Sequence, residues 1–395
     1  MDTLLALDEN VKQIPNMKLS QDIYSYEYNS NNNNNNNKQE ELKEKILIEI
    51  ENNSMTPLYL TLCNKYSWSI NEEKLNIMRE NNRVEQERIA KLHADALENA
   101  GDMEILDALF AKAKHYATIG DSEEAIKSYD EILALKKVSS GKKIDATLDK
   151  MRVAFFTLDK PKIKVLLEES RKLIDAGGDW DRRNRLKVYE AFYLLSCREI
   201  RQAASILLEC VATFSCVELI SYNDFMFLAI TTSIINLSRS ELKAKVVKNP
   251  QVISIIREFP YLERLLLSIY NCDYSAFFRS ILEVHPLLSD NRYIGPHVTY
   301  LIREYRVTAY TQFLDAYKSV MLSSMAQQFG IETTLLDREL SRFISSGRLN
   351  AKIDKVGDII ETCRPDKKNR QYQEVIKKGD ALLNQIQKLA RVVQM

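Results

Sequence analysis

Glycine and proline are scarce, 10 and 8 in 395 residues. With so few chain breakers among abundant Leu, Ile, Ala, Lys and Glu, the composition favours a mostly α protein. Net charge is lacking too: 55 basic residues balance 55 acidic ones, so bulk electrostatics gives no reason to expect nucleic acid or an anionic membrane as partner. The six cysteines (Cys63, Cys197, Cys210, Cys216, Cys272, Cys363) form no C-x-x-C pair. Cys197 and Cys210 lie in segments of helical apolar periodicity and are expected to be buried, reduced thiols. The four histidines, His93, His115, His285 and His297, stand in neither H-x-H nor H-E-x-x-H spacing, which argues against a hydrolytic zinc site. His115, beside Tyr116, is read as a packing residue. A Walker motif, a G-x-G-x-x-G loop and a nucleophile elbow are all absent. Glu123–Glu124 and Glu168–Glu169 are adjacent on helices and diverge, so they read as solvated faces. The longest apolar run, Phe225 to Leu237, contains Thr, Ser and Asn and falls short of the ~20 residues that span a bilayer. The N-terminus opens with Asp2, Asp8 and Glu9 and shows no basic region followed by an apolar one. These absences lead to the expectation of a non-enzymatic, soluble, intracellular protein without metal or cofactor.

What is present divides the chain into five parts. Residues 1–70 form an N-terminal helical segment, with flanks at Ile14–Tyr28 and Glu40–Ile50 around an asparagine-rich insert (29–37) expected to be disordered. Residues 71–102 are rich in charge with sparse apolar positions (Leu75, Met78, Ile89, Leu92, Ala96), the pattern of a long solvated helix. Residues 103–300 read as paired helices of the tetratricopeptide kind, a right-handed helical-repeat (TPR-like) solenoid. Leu109, Ala113, Tyr116, Ala125, Tyr129 and Ile132 carry the signature, with Gly120–Asp121 at the turn. Ala191, Leu194, Ala203, Leu207 and Cys210 repeat it two periods of about 39 residues later. In the degenerate repeat between them Val165 falls where a small residue is needed. Beyond Leu219 the signal fades, punctuated by Pro250 and Pro260.

Residues 301–363 read as a winged helix. A helix over Thr308–Ser319 precedes a short one, Ser323–Phe329, ended by Gly330. Thr334 with Asp337 makes a capping-box pair for a third helix, whose buried face is Leu336, Leu340, Phe343 and Ile344 and which Gly347 stops. Leu349, Ala351 and Ile353 alternate with polar residues as a strand. Gly357 turns the chain into a second strand at Ile359–Thr362. Residues 364–395 form a terminal assembly helix. Tyr372, Val375, Gly379, Leu382, Ile386, Leu389 and Val393 recur at steps of three and four, and Ile376, Leu383 and Ala390 widen the seam, so several helical neighbours are expected rather than one. Exposed, such a stripe is rare in monomers; the alternative is that the helix packs back on its own chain. Strand edges at Leu349–Asp354 or Ile359–Thr362, including Ile359 and Ile360, are a second candidate for pairing with a partner.

A winged helix also invites a nucleic-acid reading, in which the third helix enters the major groove. Arg338 and Arg342 sit there, but Glu332, Asp337 and Glu339 offset them, and phosphate contacts need a net basic surface. The runs Arg182–Arg183–Asn184–Arg185 and Lys367–Lys368 are flanked by acids and read as helix ends or solvated loops.

Helical repeats running into a winged helix with the strand Leu349–Asp354 resemble the PCI family, shared by the proteasome lid, the signalosome and translation initiation factor three. Three stretches, Gly177–Tyr189 (GGDWDRRNRLKVY), Asp337–Val356 (DRELSRFISSGRLNAKIDKV) and Arg364–Val392, narrow the resemblance to the non-ATPase regulatory subunits of the proteasome lid. The resemblance implies a non-catalytic subunit of a hetero-oligomer, in cytoplasm and nucleus. Its winged helix would join those of other PCI subunits, its terminal helix would enter a shared bundle, and its repeat arm would reach the ATPase ring of the base. The deubiquitinating lid subunit, which carries the H-x-H motif this chain lacks, is a further implied partner. A place in the signalosome or in initiation factor three is the alternative, with a nucleic-acid-binding winged helix behind it.

Overall fold

A computed structural model describes residues 14–32, 36–99, 101–135, 138–363 and 367–393. Among them nineteen helices and three short strands are found, the mostly α class that scarce glycine and proline predict. The chain divides into two compact units, residues 1–270 with 279–302, and residues 271–278 with 303–395.

The first unit opens with α1 (Met17–Asn32), α2 (Asn36–Asn52), α3 (Thr56–Tyr66) and the long α4 (Glu72–Asn99). Leu19, Tyr26, Ile46, Ile50, Tyr59, Leu62, Leu75 and Met78 share one core. Trp68 closes it, its ring edge-on to Tyr26 at 5.2 Å and its Nε1–H donating to Tyr26 Oη at 3.1 Å. The asparagine-rich insert, expected to be disordered, is described only in part. Asn29–Asn32 complete α1 and Asn36–Asn37 open α2, while Asn33–Asn35 lie outside the described residues. Asparagine costs only about 0.7 kcal/mol relative to alanine in a helix, so two helices that already pack on each other carry a few at their ends. On α4, Leu75, Met78, Ile89 and Ala96 are buried and most other positions exposed, Leu92 among them.

Three helix pairs follow: α5 (Asp102–Ile119) with α6 (Ser122–Ala134), α7 (Ser140–Thr157) with α8 (Lys160–Asp175), and α9 (Trp180–Ser196) with α10 (Ile200–Cys210). Each turn uses one left-handed residue followed by an acid: Gly120, Leu158 and Arg198 have φ of 84°, 55° and 69°, before Asp121, Asp159 and Glu199. Asp121 and Asp159 accept from the amides of Glu124 (3.2 Å) and Lys162 (3.3 Å), capping the second helix. Ala113, Ala125, Ala191 and Ala203 are fully buried, where small side chains let paired helices approach. Val165 does not play that part in the middle pair. It is 55 % exposed, because the stripe Ile163–Leu166–Leu167–Ser170–Ile174 is the buried face of α8 and Val165 stands off it. Cys210 is buried and its thiol pushed up to about 11 by burial, whereas Cys197 is only half-buried. Cys63 and Cys216 are buried as well, and Cys363 is exposed.

The apolar run becomes α11 (Tyr222–Asn236), whose residues from Phe225 to Ile235 are nearly all buried. A helix apolar all round belongs in an interior. The buried hydroxyls are satisfied within the helix: Thr232 Oγ1 and Ser233 Oγ donate to the carbonyls of Leu228 and Ile230 at 2.7 Å. A short α12 (Arg239–Leu242) leads to α13 (Pro250–Glu258), α14 (Pro260–Asn271), α15 (Tyr274–Asp290) and α16 (Val298–Leu314). Pro250 and Pro260 each start a helix, where the missing N–H costs nothing.

Helix α1 is pinned to the turn after α15. The backbone N–H of Arg292 donates to Gln21 Oε1 at 3.0 Å, and its buried guanidinium donates to Ser20 Oγ and the Phe156 carbonyl. Burial holds its pKa below the usual arginine value. At Gly295 a Cβ would stand under 3.0 Å from Tyr24 Oη and from the Ser289 carbonyl. Gly295→Ala is therefore expected to destabilise the first unit by about 1–3 kcal/mol, measured as a lowered midpoint of thermal unfolding.

The second unit is built on aromatic rings. Phe329 is met by Tyr274 (4.8 Å), Tyr310 (5.0 Å), Phe278 (5.4 Å) and Phe313 (5.4 Å). Around them lie β1 (Ser319–Met321), α17 (Leu322–Phe329), α18 (Thr333–Ser345), β2 (Ala351–Asp354) and β3 (Ile359–Thr362). The sheet is antiparallel in the order β1-β3-β2, with Val320 opposite Ile360 and Ile353 opposite Ile360 on the other side. The expected helix to Ser319 ends at Leu314, because Ser319–Met321 pairs with β3. The Thr334–Asp337 capping box does not form either. Glu332 takes the N-cap without a side-chain bond, and Asp337 pairs with Lys355. Buried Glu304 is paired with Arg348, and Glu339 with Arg306 and the hydroxyl of Tyr310.

Candidate assembly interface

The terminal helix α19 (Lys367–Val393) is about 40 Å long at 1.5 Å per residue. Its described side chains are exposed throughout. Tyr372, Val375, Ile376, Leu382, Leu383, Ile386, Leu389 and Val393 are each 56–78 % exposed, and the heptad spacing sets all eight along one side. In the alternative, in which the helix packs back on its own chain, these side chains would be covered; here they are exposed. Apart from Lys378 and Asp380, the positions bordering the stripe are largely uncharged, with Gln371, Gln373, Gln385 and Gln387 among them. Lys377, Lys388 and Arg391 lie towards the opposite side.

Among the described residues the sheet has three strands, with β1 and β2 at its edges. Thr362 N–H donates to the Lys318 carbonyl at 2.9 Å and Leu322 N–H to the Asp358 carbonyl at 2.8 Å, whereas Cys363 N–H donates to Asn350 at 2.9 Å. Successive residues of β3 therefore bond alternately to β1 and β2. Ile359 and Ile360 belong to a strand paired on both sides, so their place among edge residues is corrected: the middle strand has no edge to offer. In the same alternation the backbone groups of Ala351 and Ile353 point outward from β2, and those of Ser319 and Met321 from β1. Leu349, Ala351 and Ile360 have buried side chains and Ile353 a half-buried one, so an edge contact there would be made by backbone. Strand β1 was missed by the sequence reading. The only signal was a three-residue run, Ser319–Met321, too short to show a period of two.

The basic run stands in the first turns of α9, the helix-end placement expected of it. Arg182 braces α9 to α7 through both oxygens of Asp145 (2.8 and 2.9 Å) and also pairs with Asp179. Arg185 pairs with Asp181 at 3.0 Å and with Glu218 at 3.5 Å. These pairs line a groove of about 790 Å³ along α5, α7 and α9; Trp180, between the lining residues Asp179 and Asp181 in sequence, is 67 % exposed. His115 is half-buried, and burial pulls its pKa down. Among the described residues no group of three or more His, Cys, Asp or Glu is placed to hold a metal ion. No described helix is long and apolar enough to cross a membrane.

Three family descriptions match parts of the chain: "26S proteasome subunit RPN7" over residues 71–245, "PCI domain" over 282–364, and the RPN7/PSMD6 "C-terminal helix" over 371–393. The 26S proteasome non-ATPase regulatory subunit 6 of Dictyostelium discoideum is 38 % identical, the match covering 98 % of this chain and 100 % of that protein. The homologue from Arabidopsis thaliana is 40 % identical over 90 % of this chain and 92 % of its own length. The COP9 signalosome complex subunit 1b of Drosophila melanogaster is 23 % identical over 68 % of this chain and 52 % of that protein.

Proposed function

The chain belongs to the RPN7/PSMD6 family of 26S proteasome regulatory subunits, a non-ATPase, non-catalytic family, and from that premise we propose that it works as a scaffold of the regulatory-particle lid. The observation that carries this reading is α19, a helix whose apolar stripe is exposed along its whole length. Stripes of that size on one chain are satisfied by other chains, and a seam of a, d and e positions suits a bundle of three or more helices. The edge strands β1 and β2 are the second attachment, to the winged helices of neighbouring PCI subunits. The helix pairs of the first unit form the arm that approaches the ATPase ring of the base, and the deubiquitinating subunit is a lid neighbour. The protein acts where such particles act, in cytoplasm and nucleus. A signalosome role has weaker support, since the signalosome relative matches at lower identity and over less of each chain.

The test is affinity purification of the tagged full-length protein from its own cells, followed by mass spectrometry. Proteasome ATPases and the other lid subunits are expected in amounts comparable to the bait. A signalosome set, or initiation factors with ribosomal proteins, would replace this reading by its alternatives.

A further inference from the structure

Gly379 stands in the middle of α19, at the centre of its apolar stripe. Glycine costs about 1 kcal/mol relative to alanine inside a helix. Here no tertiary packing offsets that, since the side chains around it are exposed. Nor does the backbone demand it: Gly379 is absent from the positive-φ residues, and a Cβ there would meet nothing within 4 Å. Within the chain itself, then, alanine would serve better. The position is nonetheless ringed by large apolar side chains one turn away on either side, Val375, Ile376, Leu382 and Leu383, which are 67, 61, 58 and 56 % exposed. In heptad terms Gly379 takes an a position between Tyr372 and Ile386, and the four neighbours are the flanking d and e positions. A missing side chain at such a site makes a depression with an apolar rim.

We propose that this depression is a socket for a large apolar side chain on a helix of another subunit, fixing the register in which α19 enters its bundle. The inference rests on the assembly role proposed above and adds which partner chemistry fits. The occupant is a helix carrying a Leu, Met or aromatic knob at its point of closest approach. The polar borders agree with this. Of the border positions Lys378 and Asp380, which flank the notch, are charged, while 371, 373, 385 and 387 are glutamines. Few charged pairs are left to set register and partner choice, and steric fit at the notch adds to that one place. A second copy of this chain fits poorly, because a parallel in-register pair would set two glycines face to face and leave a void.

The experiment uses the full-length protein co-expressed with the other lid subunits. It compares Gly379→Leu and Gly379→Ala with Asn384→Leu, which adds the same side chain away from the stripe. Incorporation is read by native gel, and self-association by sedimentation of the isolated chain. Overpacking a filled site is expected to weaken incorporation of Gly379→Leu by roughly 10- to 100-fold, and of Gly379→Ala by less. Asn384→Leu should incorporate normally, and the isolated Gly379→Ala chain should gain helix content. Incorporation of Gly379→Leu at the wild-type level overturns the socket. Wild-type self-association that Gly379→Leu abolishes would overturn the choice of occupant in favour of a second copy. A chain ending at Cys363 that still incorporates fully would instead overturn the assembly role of α19 itself.

Discussion

The triple substitution Leu382→Ser, Ile386→Ser, Leu389→Ser is expected to abolish incorporation into the lid while leaving the isolated protein folded as before. These side chains are 58, 57 and 65 % exposed, so in the free chain they make little packing to lose, and exposed substitutions typically change stability by no more than about 0.5 kcal/mol each. In a bundle the same three are buried, and burying a leucine or isoleucine contributes about 1.5–3 kcal/mol. Losing all three therefore costs some 5 kcal/mol or more of association, a weakening of over a thousandfold. The paired measurement is circular dichroism and thermal unfolding of the isolated variant against native-gel assembly of the co-expressed one. A variant that assembles normally would show that the stripe is not the attachment.

Phe329→Ala acts at the other extreme, on the interior of the second unit. Its ring is 1 % exposed and meets four other rings, two from α15 and two from α16. Truncating a buried phenylalanine costs about 3–5 kcal/mol, the transfer free energy plus that of the cavity left behind. The second unit is the smaller of the two. The expected result is an early unfolding transition for the winged-helix part, resolved by calorimetry, with the transition of the first unit in place. A single transition at the wild-type temperature would mean that the ring cluster is not what holds this unit together.

How much of this was legible depends on the reach of each signal. The heptads of α19, the Gly120–Asp121 turn and the apolar run that becomes α11 are local signals, and sequence carries those in full. The order β1-β3-β2 is a non-local pairing in which three residues, Ser319–Met321, come from a segment that reads as the tail of a helix. Nothing in a run that short distinguishes a strand, so the middle strand was taken for a possible edge. Val165 was misplaced for a related reason: the middle repeat keeps the helix pair and the turn but shifts the buried stripe, and fixed spacing from its neighbours then lands on the outer face. The acidic neighbours of Arg182 and Arg185 were visible, but their partners Asp145 and Glu218 come from other parts of the chain, so the brace between α9 and α7 was not. For Tyr372 to Val393 the heptad spacing shows in the sequence, and the structure adds that these side chains are exposed. The outward groups of Ala351 and Ile353 needed the sheet.

Hydrogen exchange along α19 tests the central claim most directly. In the isolated protein the amides between Val375 and Ala390 should exchange quickly, since a single helix without tertiary packing opens readily. In the assembled regulatory particle the same amides should be among the most protected of the chain. Equal, fast exchange of Val375–Ala390 in both states would contradict the account, because a helix that stays open in the particle holds nothing together.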